Sequence, residues 1–235
     1  MLSLPKHLAW GSNSIARKEL LLPARCFGKL SMTFLFYSNT HDGRYCACPL
    51  YFWPIMQAKI RSTTVLGVRH NGEIAVGADG QATMDKHVAK GNVRKIRKLQ
   101  DGKVVTGFAG STADAFMLLD KFDDKLTSYG GNLKRAAIEL AKEWRKDQYL
   151  RKLEAMMVVA DKDELLILSG TGDVLEPDSD VAAIGSGAMY AQAAALALKK
   201  HAPHLTARQM VEEGLHIAAD ICIYTNHNLM IESPV

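Results

Sequence analysis

Two adjacent threonines, Thr63 and Thr64, open a β-rich apolar run and follow Arg61 and Ser62. A threonine hydroxyl attacks poorly near neutral pH, but a threonine at a free amino terminus can use its own α-amino group as the base. That amine titrates at about 7.7–8.0 when unperturbed. Cleavage of the chain ahead of Thr63 would therefore create the nucleophile of a hydrolase. The alternative is that the two threonines simply begin a β-strand.

The 235-residue chain is 48% apolar and 23% charged, as expected of a globular protein. Its net charge of +4 arises in residues 1–62, which hold eight of the 29 Lys and Arg but only two of the 25 Asp and Glu. The remaining 21 basic and 23 acidic side chains are nearly balanced. No nucleic acid partner is predicted, because phosphate binding needs a surplus of positive charge.

Three of the four cysteines also lie in residues 1–62. Residues 63–235 keep only Cys222, so no disulfide can form within them. Such cysteine usage favours a reducing compartment. Cys46 and Cys48 with His41 are too few to predict a zinc site. The apolar runs of the first quarter are shorter than the roughly 20 residues that span a bilayer, so no membrane anchor is expected.

We predict that residues 1–62 are a leader or extension plus propeptide, removed in the mature protein, and that residues 63–235 form a single domain. Two origins of the extension stay open. Translation that starts at Met56 would leave a seven-residue leader and a cytoplasmic protein. A basic, acid-poor organelle transit segment in residues 1–55 would instead indicate the mitochondrial matrix.

The order of secondary structure predicts an α+β protein. Asn71-Gly72 between two β-rich runs is a hairpin signal, and Thr206 begins an amphipathic run. The predicted strands are 63–69, 73–79, 96–99, 103–108, 155–160, 165–169, 181–184 and about 229–231, and the predicted helices run from 111 to 130, from 132, from 189 to about 201 and from 206 to about 224. Strands, two helices, strands and two helices are typical of two packed antiparallel sheets with helices on both outer faces, a four-layer αββα sandwich.

Several ordered motifs from Thr63 nearly to the C-terminus resemble those of one family. They are TT at 63–64, GADGQAT at 77–83, KGNVRK at 90–95, GFAGSTADAF at 107–116, IGSG at 184–187 and DICIYTNH at 220–227. The chain is similar to the HslV (ClpQ) family, the proteasome-like threonine peptidases of bacteria. This resemblance implies the amino-terminal-nucleophile hydrolase fold and makes residues 63–235 a peptidase domain.

The resemblance also implies a role for each catalytic candidate. Thr63 would be the nucleophile and its freed amine the general base, with Lys95 beside it as the cation that tunes the amine. Asp79 would hold Lys95, Gly107 would donate a backbone N–H to the oxyanion, and Ser186 would hydrogen-bond near the amine. By themselves, these residues would pass for a solvated lysine, a turn acid, a bulge glycine and a helix N-cap.

A cation site is implied as well, formed by the main-chain oxygens of Ala219, Cys222 and Thr225. Such ligands suit a hard ion, monovalent or divalent, with sodium the favoured choice. Ala219 stands where the family often has glycine, which leaves the backbone oxygen in place. A rival scheme with Cys222 as a thiol nucleophile and His216 or His227 as its base is disfavoured, because Cys222 is predicted in mid-helix.

The partners implied by the resemblance are further copies of the chain, in two stacked hexameric rings, and a ring ATPase of the HslU (AAA+) type that unfolds polypeptide substrates. The chain itself has no Gly-rich loop followed by Lys and Ser or Thr, so ATP dependence must come from the partner. Two other functions stay open: an amidase acting on small amides, and a non-catalytic ring subunit that keeps its leader.

Overall fold

The computed structural model describes residues 60–61, 63–84, 87–110, 112–147 and 155–235. Residues Met56–Val235 form one compact unit. The predictions for residues 1–59, including the transit segment, the start at Met56 and the Cys46–Cys48 pair, lie outside the described residues. The division into a removed leader and a single mature domain stays a prediction.

The strands form two large antiparallel sheets and one small one. Their bounds are β1 Ile60–Arg61, β2 Thr64–His70, β3 Glu73–Ala78, β4 Ala82–Met84, β5 His87–Lys90, β6 Ile96–Leu99, β7 Val104–Ala109, β8 Met156–Ala160, β9 Leu165–Ser169, β10 Val174–Leu175, β11 Val181–Gly185 and β12 Met230–Glu232. The strand orders are β11-β2-β3-β12, β10-β9-β8-β7-β6 and β1-β4-β5. The helices are α1 Thr112–Ser128, α2 Leu133–Lys146, α3 Ala188–His201 and α4 Ala207–Ile221.

The core between the two large sheets draws side chains from both of them. Val65 of β2 and Val76 of β3 pack there with Val105 of β7 and Val158 of β8, all essentially inaccessible to water. Because successive strand residues point to opposite faces, the neighbouring Leu66 faces away from this core and packs under the helices instead. The four-stranded sheet is therefore buried on both faces.

Each helix pair covers the outer face of one sheet. Helices α1 and α2 pack on the five-stranded sheet around Phe122 and Trp144, both fully buried. Helices α3 and α4 pack on the four-stranded sheet through Met210 and Leu215. The layers are helix, sheet, sheet and helix, which confirms the predicted α+β αββα sandwich. No helix in the described ranges is both long and apolar enough to cross a membrane.

Local signals placed most elements correctly. Asn71 and Gly72 make the β2–β3 turn, Asn132 caps α2 by accepting from Arg135 N–H at 2.8 Å, and Thr206 forms a capping box with Gln209. Two predictions were wrong. Strands β4 and β5 lie between the second and third predicted strands, and α4 ends at Ile221 rather than near residue 224 because Cys222 has an extended backbone.

Candidate active site

Thr63 lies at the point where β2 begins beside the end of β11. Thr64 and Gly185 are register partners in the four-stranded sheet, and Thr63 is only 3% exposed. The carbonyl oxygen of Thr63 accepts a hydrogen bond from the Ser186 N–H at 2.9 Å and a longer one from the Ser186 hydroxyl at 3.4 Å. The end of β11 thus holds the backbone of the predicted nucleophile.

Gly185 makes this close approach possible. Its φ of +97° lies in the region that favours glycine, and a Cβ built on it would fall 1.9 Å from the Thr63 carbonyl oxygen. Any side chain at this position would push the Thr63 peptide away. The sequence motif at 184–187 contained this glycine, but its role became visible only from the pairing of β11 with β2.

Asp79, at the end of β3, joins the nucleophile's peptide to Lys95. Its Oδ1 accepts from the N–H of Thr64, the peptide group between Thr63 and Thr64, and from Lys95 Nζ, both at 2.8 Å. Its Oδ2 accepts from the backbone N–H of Gln81 at 2.9 Å and of Asn226 at 3.4 Å. These four donors hold the carboxylate in one orientation, at 1% exposure.

Lys95 is a buried ammonium, 2% exposed, rather than a member of a solvated basic run. Besides Asp79, its Nζ donates to the carbonyl oxygen of Gln81 at 2.6 Å. Burial lowers the pKa of Lys95 below the usual lysine value, and the charge and hydrogen bond of Asp79 partly offset this effect. A lysine with a lowered pKa paired with a buried carboxylate is a common signature of functional sites.

Thr64 connects β2 to two other segments through its fully buried hydroxyl. The oxygen accepts from the N–H of Gly187, the N-cap of α3, at 2.9 Å, and it lies 2.7 Å from the hydroxyl oxygen of Thr225. Thr225 is in the segment that follows α4, here defined as residues 222–228 and called the α4 loop. The residue next to the predicted nucleophile is therefore bonded to the α4 loop.

Gly107, the predicted oxyanion donor, belongs to the five-stranded sheet. It lies in mid-strand in β7, in register with Ile96 on one side and Val158 on the other, so its backbone N–H points at a neighbouring strand. A Cβ on Gly107 would fall 2.6 Å from Val65 Cγ1, which gives a packing reason for the glycine. The oxyanion role of Gly107 stays a prediction.

The predicted cation ligands sit at the C-terminal end of α4, where helix carbonyls lack intrahelical partners and favour positive charge. The Cys222 carbonyl accepts from Thr225 N–H at 3.0 Å, which leaves its second lone pair for an ion. Ala219 lies in the last turn of α4 and Thr225 in the loop beyond it. The described residues hold no cluster of His, Cys, Asp and Glu suited to a metal, so an ion here would depend on oxygens such as these.

Cys222 itself is the C-cap of α4 and is buried, not a mid-helix residue as the sequence argument assumed. His216 and His227, its proposed bases, instead contact each other, with their Nδ1 atoms 2.9 Å apart. His227 also lies 3.2 Å from Asp220. The described contacts therefore give the thiol scheme no support.

Two further polar residues of the site were not singled out from sequence. Gln81 supplies the second acceptor for Lys95, and Asn226 donates to Asp79 from its N–H and accepts from Gly80 N–H through its side chain at 3.1 Å. Both belong to motifs that carried the family resemblance. No local pattern separates them from turn residues, because Gln81 bonds Ile223 and Asn226 bonds Gly80 across more than 140 positions of the chain.

The segment just ahead of Thr63 is an added strand of the small sheet. The backbone of Ile60 pairs with Met84 and that of Arg61 with Thr83, so β1 covers one edge of β4. The other edge of β4 pairs with β5. Residues 60 and 61 thus form a two-residue extended strand that pairs with β4.

A buried threonine whose peptide is held by a carboxylate–lysine pair, at the start of a central strand in an αββα sandwich, defines an amino-terminal-nucleophile hydrolase. The family model of proteasome subunits matches residues 60–233. The ATP-dependent protease subunit HslV of Cytophaga hutchinsonii is 68% identical over 177 residues, which are 75% of this chain and 98% of that protein. The HslV subunit of Staphylococcus aureus is 54% identical over 175 residues, 74% of this chain and 97% of that protein.

A solved structure agrees with these relatives. The crystal structure of eukaryotic HslV from Trypanosoma brucei superposes with a TM-score of 0.69 at 41% identity, covering 72% of this chain and 98% of that one. The chain therefore belongs to the proteasome family and, within it, to the HslV peptidases. It is a threonine-type protease, and the family predicted from the sequence motifs is confirmed.

Proposed function

We propose that the chain becomes active when the bond between Ser62 and Thr63 is cut, and that the freed Thr63 then hydrolyses peptide bonds. The observation that carries this proposal is the buried Asp79–Lys95 pair attached to the Thr63–Thr64 peptide group. A pair of this kind places a positive charge beside the residue whose hydroxyl must lose a proton. The ordinary role of a surface ion pair would not require burial of both groups.

In the first half of the reaction, the Thr63 hydroxyl oxygen attacks the carbonyl carbon of the substrate, and its proton passes to the Thr63 α-amine. The tetrahedral intermediate then collapses, the C–N bond breaks, and the amine's extra proton goes to the departing nitrogen. The acyl group is left as an ester on Thr63. In the second half, water attacks this ester with the same amine as base, which releases the carboxylic acid product and restores Thr63.

The surrounding groups act by position and charge. The Lys95 ammonium disfavours protonation of the nearby amine and keeps it available as a base near neutral pH. Asp79 keeps Lys95 charged and in place, and the Ser186 N–H and hydroxyl fix the Thr63 carbonyl. These groups are already oriented before substrate binds, so little reorganisation accompanies the reaction.

The β1–β4 pairing indicates how substrate is held. Residues 60 and 61 lie on the acyl side of the bond that must be cut ahead of Thr63, as the acyl part of a substrate would. Once the leader departs, the exposed edge of β4 at Thr83 and Met84 can take an extended peptide by the same backbone pairing. Main-chain recognition of this kind favours unfolded polypeptides over folded ones or small amides.

The assembly proposed for the chain follows its relatives, which are named as subunits of an ATP-dependent protease. We propose two stacked hexameric rings of this chain and an HslU-type AAA+ ATPase that unfolds substrates and delivers them. A cytoplasmic location is proposed, with the mitochondrial matrix as the alternative if residues 1–55 are a transit segment. Sequestration of the sites would protect other proteins from a broadly specific peptidase.

A cation, with sodium favoured, would be held by the main-chain oxygens of Ala219, Cys222 and Thr225. When bound, such an ion would supply positive charge that stabilises the C-terminal end of α4 and the α4 loop. Because Thr225 also contacts the Thr64 hydroxyl, the ion's effect on activity would pass through the position of that loop.

Intact mass of protein from its native source tests the proposal most directly. A mature species that begins at Thr63 supports the peptidase, whereas an active species that retains Ser62 contradicts the mechanism. Thr63→Ala should abolish peptide hydrolysis and leave ring assembly intact, and Thr63→Ser should retain part of the activity. Turnover of small amides without turnover of peptides would instead favour the amidase, and a chain that always keeps its leader would favour the scaffold subunit.

A further inference from the structure

Gln81 is a buried glutamine, 6% exposed, in the turn between β3 and β4, and its N–H, its carbonyl oxygen and its side-chain Nε2 each have a partner. Its N–H donates to Asp79 Oδ2 at 2.9 Å, and its carbonyl oxygen accepts from Lys95 Nζ at 2.6 Å. Its side-chain Nε2 donates to Thr83 Oγ1 at 3.0 Å and to the carbonyl oxygen of Ile223 at 2.8 Å. Gln81 thus touches the catalytic pair, β4 and the α4 loop.

The carbonyl of Gln81 is one of two acceptors that orient the Lys95 ammonium, and the other is Asp79. Four donors fix the Asp79 carboxylate. Within the part of the chain that the structure describes, the donor to the Gln81 carbonyl is Lys95 itself, so the direction of this carbonyl depends on the turn that contains it. The side-chain amide, anchored on two separate segments, restrains that turn.

We propose that Gln81 is a positioning residue for the peptidase reaction: its side-chain amide fixes its own carbonyl on Lys95 and links Lys95 to the α4 loop. This proposal rests on the proposed role of Thr63 and Lys95. Gln81 acts through Lys95 and does not touch the reacting atoms. The direction of its effect on the Lys95 pKa is defined: an acceptor for the ammonium stabilises the charged form of lysine and so raises the pKa.

Two substitutions should move the same observable in opposite directions. Q81M keeps the length of the side chain and removes both donors, so the carbonyl loses its restraint and Lys95 loses an acceptor. The pKa of Lys95 then falls further, and the alkaline limb of the kcat/KM profile moves to lower pH. Q81E removes the same donors but adds a negative charge to the residue whose backbone carbonyl accepts from Lys95, which raises the lysine pKa and moves that limb to higher pH.

We expect Q81M to lower kcat by about 10- to 100-fold, the range typical when a group that orients a reactive residue is lost, with little change in KM. Q100M is the matched control. Gln100 Nε2 also makes two hydrogen bonds, to Asp123 Oδ1 at 2.8 Å and Thr127 Oγ1 at 3.1 Å, but it lies in the turn between β6 and β7, next to α1. Q100M should leave the pH profile and kcat unchanged.

The experiment uses the full chain after self-processing, with the ring ATPase of the same genome supplied, and measures hydrolysis of a short fluorogenic peptide across pH. Opposite limb shifts in Q81M and Q81E support the proposal. A loss of kcat in Q81M with the wild-type limb position overturns it and leaves Gln81 a structural role only. If Q81M fails to assemble, Q81E alone decides, because an unshifted or lowered limb contradicts the proposal.

A second readout separates this proposal from the one on which it rests. A peptide vinyl sulfone should add to Thr63 of the wild-type enzyme, as intact mass and fragmentation can show. Absence of that adduct refutes the assigned nucleophile, whatever the Gln81 variants do. An adduct on Thr63 at equal rates in wild type and Q81M, over the whole pH range, refutes the role of Gln81 alone.

Discussion

Gly185→Ala places one methyl group where β11 passes the nucleophile. The new Cβ would stand 1.9 Å from the carbonyl oxygen of Thr63 and 2.8 Å from its carbonyl carbon. Both of these atoms are backbone, so no side chain can swing aside to make room. The Thr63 peptide must move, or the end of β11 must leave it.

The size of the effect follows from that distance. Contacts of a Cβ below 3.0 Å are essentially never seen, so the Thr63 carbonyl must shift by at least about 1.1 Å. A misplacement of about 1 Å in a catalytic group lowers the rate on the order of 100-fold. The positive φ adds a loss of roughly 1–2 kcal/mol in the free energy of unfolding, since alanine disfavours that region.

The assay compares kcat/KM for a peptide in wild type and G185A, with intact mass to confirm that each begins at Thr63. If G185A does not self-process, a chain that starts with methionine directly before Thr63 exposes the threonine by ordinary methionine removal. Gly131→Ala is the control, because Gly131 has a φ of +81° and open space around its missing Cβ. It should lose similar stability but keep its activity.

G185A turnover within a few-fold of wild type would refute the claim that Gly185 positions Thr63. Equal activity losses in G185A and G131A would show that the effect comes from backbone strain and not from the contact with Thr63. Thermal unfolding of both variants separates these outcomes, since a loss of 1 kcal/mol lowers the Tm of a domain of this size by about 2–4 °C.

Three further predictions concern the buried polar groups. Burial lowers the pKa of Lys95 below 10.5, so the ammonium proposed to assist catalysis loses its proton as the pH rises through that lowered pKa. The alkaline limb of the kcat/KM profile should therefore lie below pH 10.5. An alkaline limb above pH 10.5 contradicts this reasoning. Lys95→Met leaves Asp79 buried without its cation and should lower the free energy of unfolding by about 3–5 kcal/mol. Adding Asp79→Asn to this variant should restore much of the stability, measured by urea titration, but should restore no turnover. Restored turnover would exclude the catalytic role of the pair. Thr225→Val removes the hydroxyl bound to Thr64 and should lower the free energy of unfolding by about 1–3 kcal/mol. The control Thr127→Val, at an exposed threonine, should change the unfolding midpoint little. Equal effects of the two substitutions would count against the Thr64–Thr225 link.

The parts of the fold that the sequence predicts are those encoded by neighbours in the chain. Asn71-Gly72 specifies its turn, Asn132 its helix start, and the alternation in β2 its two buried faces. Strands β4 and β5 escaped prediction because they are short, β5 is fully exposed, and neither has an alternating apolar pattern. They exist as strands only because they pair with each other and with β1.

The candidate site divides in the same way. Thr63, Asp79, Lys95 and Ser186 were predicted from motifs that resemble a family, and the structure brings them together around the first residues of β2. The roles of Gln81, Asn226 and Gly185 depend on partners from distant parts of the chain. Such pairings follow from the tertiary fold and not from local propensity, so a single sequence does not reveal them.

The hydrogen bond between Thr64 and Thr225 has a consequence for biosynthesis. Thr225 and Asn226, both in contact with the centre of the site, lie 161 and 147 positions after their partners Thr64 and Asp79. While these residues are still unmade or inside the ribosome, the site around Thr64 and Asp79 lacks the contacts that they supply. The proposed cleavage ahead of Thr63, if the site itself performs it, would therefore have to wait until these late residues are made and folded against Thr64 and Asp79.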